Sequence, residues 1–153
     1  MFAEQLEANA SMCASIKKAA ENGMPIYAEC GGYMYLLQSL KDFLGREHAM
    51  CGALPGRAAM TDKLQMVGYV EAELLEDTVL GKAGTKLRGH EFHFSEDEVE
   101  GKRPLRFERL RTGECYEAGE SRRNVLGSYL HLHFAGCPEA AAHFVEACTS
   151  WAR

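Results

Sequence analysis

Twelve consecutive residues constrain this chain more than any others: Pro25-Ile26-Tyr27-Ala28-Glu29-Cys30-Gly31-Gly32-Tyr33-Met34-Tyr35-Leu36. The opening Pro-Ile-Tyr-Ala run is apolar and does not alternate, the pattern of a strand buried on both faces in a parallel sheet. It runs straight into Cys-Gly-Gly, and a helix is predicted to follow through Tyr33, Leu36, Leu37 and Leu40. A tight strand-to-helix turn with a cysteine at its apex is a nucleophile elbow, which holds the side chain at the mouth of a sheet and wants small neighbours. The N-terminal end of that helix favours a thiolate by about 0.3–1 kcal/mol, and at best about 2. One pKa unit is about 1.4 kcal/mol, so the helix lowers an ordinary thiol by roughly one unit from about 8.5. Full activation at neutral pH needs a further group, and a histidine is the usual one.

The remainder of the chain reads as alternating helices and strands. Phe2, Leu6, Cys13, Ile16 and Ala20 recur at helical spacing and predict an amphipathic helix over residues 3–21, closed by Asn22-Gly23. Residues 44–64 are Gly-rich and read as loop with one short strand. Strands are predicted at Met66–Leu75, Leu87–Ser95, Leu105–Arg111 and Val125–Tyr129, with a solvated charged loop over 96–103 and a loop or hairpin over 112–124. Pro138 opens a last helix carrying Ala141, Phe144, Val145, Cys148 and Ala152 on one stripe. The order implies an α/β domain with a parallel core and extra antiparallel strands. A helix joining parallel strands needs a strand before it, so the opening helix predicts that an N-terminal strand is missing from this chain.

Composition narrows the class. The 153 residues fit one domain, 1–153, with 46% hydrophobic and 25% charged residues, an ordinary globular balance. A net charge of −5 with no basic face argues against nucleic acid as a partner. No apolar run nears the ~20 residues that span a bilayer, and the acidic N-terminal segment is unlike a secretory signal, so a cytoplasmic protein without membrane partners is expected. The six cysteines then read as free thiols rather than disulfides; no Cys-x-x-Cys occurs.

His131 and His133 directly follow the late strand and are the candidate bases for Cys30. Arg88, His90, Glu91 and His93 form a dense polar cluster within Arg-Gly-His-Glu-Phe-His-Phe-Ser, which either faces the site or a domain junction, or is an ion-paired exposed face. His90 and His93 are three apart, which separates them to opposite faces of a strand and argues against a zinc site; no metal is expected.

Three segments, PIYAECGGYMYL at 25–36, RGHEFHFS at 88–95 and NVLGSYLHLHF at 124–134, together resemble the glutamine amidotransferase domain of the cobyrinic acid a,c-diamide synthase family, in that family's order. The resemblance implies a class I glutamine amidotransferase-like fold, a mostly parallel sheet flanked by helices with extra antiparallel strands. It implies a Cys30 nucleophile, His131 as the acid and base, and the Gly31 N–H as an oxyanion donor, with a second donor on a Gly-rich loop preceding the opening helix. It further implies that glutamine is hydrolysed and that ammonia passes to an ATP-dependent synthetase domain of the same protein, which amidates the a- and c-carboxylates of a corrinoid. No cofactor is expected in this chain; ATP and Mg belong to the synthetase domain, since no G-x-x-x-x-G-K-[ST] occurs here.

The sequence departs from the common pattern at one place, where His133 stands in the position of the triad glutamate. The third member is therefore Glu91 or Glu29, or the site runs as a dyad. Glu29 is also placed to orient the elbow. Cobyric acid synthase and nickel-sirohydrochlorin a,c-diamide synthase carry similar domains, and a non-catalytic partner-binding domain is the remaining alternative.

Overall fold

The computed structural model describes residues 2–152. The order is α1 (Ala3–Ala8), α2 (Ala10–Glu21), β1 (Ile26–Glu29), α3 (Gly31–Leu36), β2 (Ser39–Lys41), β3 (Glu47–Ala49), β4 (Arg57–Met60), β5 (Met66–Leu74), β6 (Lys86–His93), β7 (Ser95–Glu98), β8 (Leu105–Arg109), β9 (Cys115–Ala118), β10 (Glu120–Arg122), β11 (Val125–Ser128), β12 (His131–Leu132) and α4 (Pro138–Trp151).

The strands form three sheets, ordered β1-β11-β10, β12-β6-β5-β8-β9 and β3-β2-β4-β7. Among the described residues, parallel pairing is confined to β1 with β11 and β2 with β4. The sheet is thus mixed rather than mostly parallel. Parallel neighbours need long crossovers, usually through a helix, whereas the middle of this chain is joined by short hairpins that give antiparallel pairs. The architecture is still α/β, and the elbow sits in its parallel part.

β11 is the seam of the molecule. All four of its residues are buried. Its alternation sends Val125 and Tyr129 into a core shared with Tyr33, Leu37 and Leu54, and Leu126 and Leu130 into a second core with Val70, Leu87 and Phe107. Burying each of these large side chains stabilises by about 1.5–3 kcal/mol. Gly127 is required for the first core: a Cβ there would meet the Tyr33 ring at 2.5 Å. The α4 residues Ala140 and Phe144 cover the second core.

Several local expectations change. Residues 3–21 form two helices, because Asn9 leaves the helical region and its side chain accepts from the Met12 N–H as an N-cap. The helix after the elbow ends at Leu36, since Ser39–Lys41 is drawn into β2 between β3 and β4. The region 44–64 holds two strands, and part of the charged 96–103 segment is β7, paired to β4.

Candidate active site

Cys30 carries the local strain of the elbow. Its φ of 49° and ψ of −110° lie where a non-glycine residue is costly, by about 1–3 kcal/mol. The frame around it imposes this conformation. The Cys30 N–H donates to the Ser128 carbonyl at 2.9 Å, continuing the β1–β11 ladder, and the Cys30 carbonyl accepts from the Met34 N–H at 3.0 Å, opening α3. The following glycines need no left-handed backbone; a Cβ on Gly31 would meet nothing within 4 Å. Gly31 leaves open space beside the thiol rather than relieving the turn.

The Cys30 thiol is pushed up, not down. Burial is the main cause, opposed by the Gly31 N–H and reinforced by the nearby Glu29 charge. This corrects the balance drawn from the sequence. The helix is only six residues long, and desolvation outweighs its field.

His131 reaches the same sheet edge because β11 and β1 run parallel and β12 follows immediately. Glu29 holds that segment: its Oε1 accepts the Leu132 N–H at 2.9 Å, and its Oε2 lies 3.7 Å from His131 Nδ1. The His90 ring stacks on His131, with centroids 4.9 Å apart and planes 16° from parallel. His90 arrives there through the β6–β12 register, His131 opposite His90 and Leu132 opposite Gly89. Gly89 permits this approach, since a Cβ would lie 2.3 Å from the His131 carbonyl oxygen. Among the described residues no hydrogen bond joins the Cys30 thiol to His131; Glu29 is the group they share.

The rest of the polar cluster divides by strand alternation. Arg88 is exposed on the His90 face and pairs with Glu71 at 3.5 Å. Glu91 and His93 point to the opposite face, where Glu91 accepts from the Tyr116 hydroxyl and His93 stacks on Tyr129. Glu91 therefore lies across the sheet from His131 and is not beside it. His133 is exposed and takes part in no side-chain hydrogen bond or ion pair among the described residues. Gly89 is not among the residues that sequence reasoning singles out, although a glycine inside a strand signals a close backbone approach.

Comparisons with known proteins place the chain in a family. A cobyrinate a,c-diamide synthase from Caldanaerobacter subterraneus subsp. tengcongensis is 41% identical over 156 residues, spanning 100% of this chain and 34% of the relative. One from Dehalococcoides mccartyi is 43% identical over 151 residues, spanning 95% of this chain and 32% of its own length. The chain thus spans about a third of these relatives and matches their C-terminal part. A crystal structure of a glutamine amidotransferase superposes with a TM-score of 0.57 at 15% identity, covering 88% of this chain and 66% of that one, which shows the fold. No helix is long and apolar enough to cross a membrane among the described residues. The model for the CobB/CobQ-like glutamine amidotransferase domain matches residues 1–138, and the chain belongs to that family.

Proposed function

We propose that this domain hydrolyses glutamine and supplies ammonia for ATP-dependent amidation of the a- and c-carboxylates of cobyrinic acid in cobalamin biosynthesis. The observation that carries the reading is the strained Cys30 elbow with His131 held at the same sheet edge by Glu29. Membership of the family and the names of the relatives support the substrate class.

The resting Cys30 is a neutral thiol, so the proton must leave as the nucleophile attacks. His131 takes it while sulfur bonds to the side-chain amide carbon of glutamine. The Gly31 N–H, at the first turn of α3 and already directed at the Cys30 sulfur, is the donor for the developing oxyanion. His131 then protonates the departing nitrogen, the C–N bond breaks, and ammonia leaves behind a γ-glutamyl thioester. Water deprotonated by His131 hydrolyses the thioester, releasing glutamate and restoring the thiol. Glu29 orients His131 and offsets the charge of its imidazolium; His90 fixes the ring plane. The chain needs no cofactor for these steps. ATP and Mg act in the synthetase part of the protein, where the corrinoid carboxylate is activated.

The test is glutamate release from glutamine by the full-length protein, wild type against Cys30→Ala. Loss of release in the variant, with a diazo-norleucine adduct on Cys30 of the wild type, is expected. Equal release from both, or none from either folded protein, overturns the reading in favour of a non-catalytic partner-binding domain.

A further inference from the structure

The outward face of the β12-β6-β5-β8-β9 sheet changes character halfway along its strands. Register and alternation sort its side chains into rows. Glu73 stands beside Lys86 and Arg106, and Glu71 beside Arg88 and Glu108. Ion pairs cross these two rows, from Lys86 and Arg88 to Glu71 at 2.9 and 3.5 Å. This half is an ordinary solvated face. One step further along the strands the charges stop. The next row is His131, His90, Tyr69 and Leu110, and the last is Phe92 with Val67. Tyr69 is 71% exposed, Val67 61%, Phe92 52% and Leu110 50%. The rings adjoin one another: His131 stacks on His90, and His90 meets Tyr69 edge-on at 6.2 Å. Scattered apolar residues on a surface need no explanation, but a contiguous patch of them against one charged border does.

The backbone is open at the same place. β8 ends at Arg109, opposite Val70, so residues 66–68 of β5 are paired to β6 alone among the described residues. A groove of about 550 Å³ runs between this edge and residues 109–112, with Val67, Tyr69 and Leu110 on its walls. An unpaired strand edge beside apolar side chains is a template for another segment of chain.

The position of the patch names its occupant. It begins at His131, the proposed acid and base, so whatever covers it closes over the edge where ammonia is formed. A second copy of this domain brings only another glutaminase site, with no carboxylate to amidate. The relatives extend by about two thirds of their length beyond the segment this chain matches, and that segment is their C-terminal part. Ammonia in open solution is diluted and protonated, so the amidating part must sit against the edge that makes it. We infer that the apolar half of this face, Val67, Tyr69, Phe92 and Leu110, docks the N-terminal synthetase part of the same protein, which lays an apolar segment in the groove along residues 66–68. The inference rests on the glutaminase reading for what the contact encloses. It divides the Arg88–Ser95 segment once more: His90 serves the site, and Phe92 the junction between the two parts.

The test uses the full-length protein. A photocrosslinking benzophenone side chain replaces Val67, Leu110 or, as a control in the charged half, Glu108. All three positions are exposed, so the fold tolerates the change. On irradiation, positions 67 and 110 are expected to cross-link within one chain to peptides of its N-terminal part, identified by mass spectrometry, and position 108 is not. The double variant Val67→Glu with Leu110→Glu puts two charges into the contact. The amide it forms per glutamate released should fall about tenfold, while amidation from added ammonium chloride keeps its wild-type rate. Cross-links to a second copy, none at all, or labelling from position 108 as strong as from position 67 overturns the proposal, as does full coupling in the double variant. Cross-linking needs no turnover, so the contact is decided separately from the glutaminase reading, which stands or falls on Cys30→Ala.

Discussion

Replacing Glu29 by glutamine moves two rates in opposite directions. The carboxylate lies 3.7 Å from His131 Nδ1. Two unit charges at that separation interact by about 1 kcal/mol in water and by about 4.5 kcal/mol at an effective dielectric of 20. The side chains are 31% and 33% exposed, so solvent screening keeps the net loss towards the lower end, about 1–2 kcal/mol. That loss falls on the state in which His131 is charged, after it has taken the thiol proton. Glutamate release, read as kcat/KM, is expected to fall by about 5- to 30-fold. The amide oxygen that Glu29→Gln introduces can still accept the Leu132 N–H, so β12 stays in place. Cys30 responds the other way. Burial is the main cause of its raised pKa, and the Glu29 charge adds to it. Removing the charge increases the thiolate fraction, so iodoacetamide alkylates Cys30 faster in the variant than in the wild type near pH 7.5. A structural collapse of the elbow would change both rates without this pairing of signs. Unchanged kcat/KM, or slower alkylation, refutes the assignment of Glu29 as the positioning carboxylate.

Gly89→Ala forces a methyl to within 2.3 Å of the His131 carbonyl oxygen and 2.8 Å of Leu130 Cδ1. The β6–β12 pair must part, and a displacement near 1 Å at the base costs about 100-fold in kcat, so glutamate release should fall by that order while glutamine still binds. Its melting temperature should drop by a few degrees, following the ~1–3 kcal/mol of overpacking; an active, equally stable variant counts against the site geometry. His48, buried between Glu7 and Asp42 at 2.9 and 3.1 Å, has its pKa raised by hydrogen bonds to Asp42 and Glu7. Its charged pairing stabilises the fold fully below the unfolded value of about 6.5, and the contribution disappears as pH rises through the raised folded value. Thermal melts should therefore show a larger gap between wild type and His48→Ala at pH 6 than at pH 9; a gap that grows with pH contradicts the pairing.

What the sequence made legible was whatever depends on near neighbours. The elbow, the strand Val125–Ser128 and the helix from Pro138 carry their signals within a dozen residues, and each stands where it was read. The strands β2, β3, β4 and β7 are three or four residues long and owe their existence to partners far away, as Arg57–Met60 does to Ser95–Glu98. No local pattern announces such pairs. Cys30 shows the same division. Its turn was readable, but its acidity was not, because burial is a property of the packed neighbours and outweighs the six-residue helix. The choice between Glu29 and Glu91 turns on register. Once His131 stands opposite His90, strand alternation assigns every member of Arg88–His93 to a face. His90 goes with His131 and Glu29, while Glu91 and His93 go through the sheet to Tyr116 and Tyr129. A cluster that looks like one polar patch along the chain thus becomes two chemical environments. One supports the proton transfers proposed for His131, and the other packs Glu91 and His93 against Tyr116 and Tyr129. Gly89 sits between them, and its missing side chain is what lets β12 come close enough for the first environment to form.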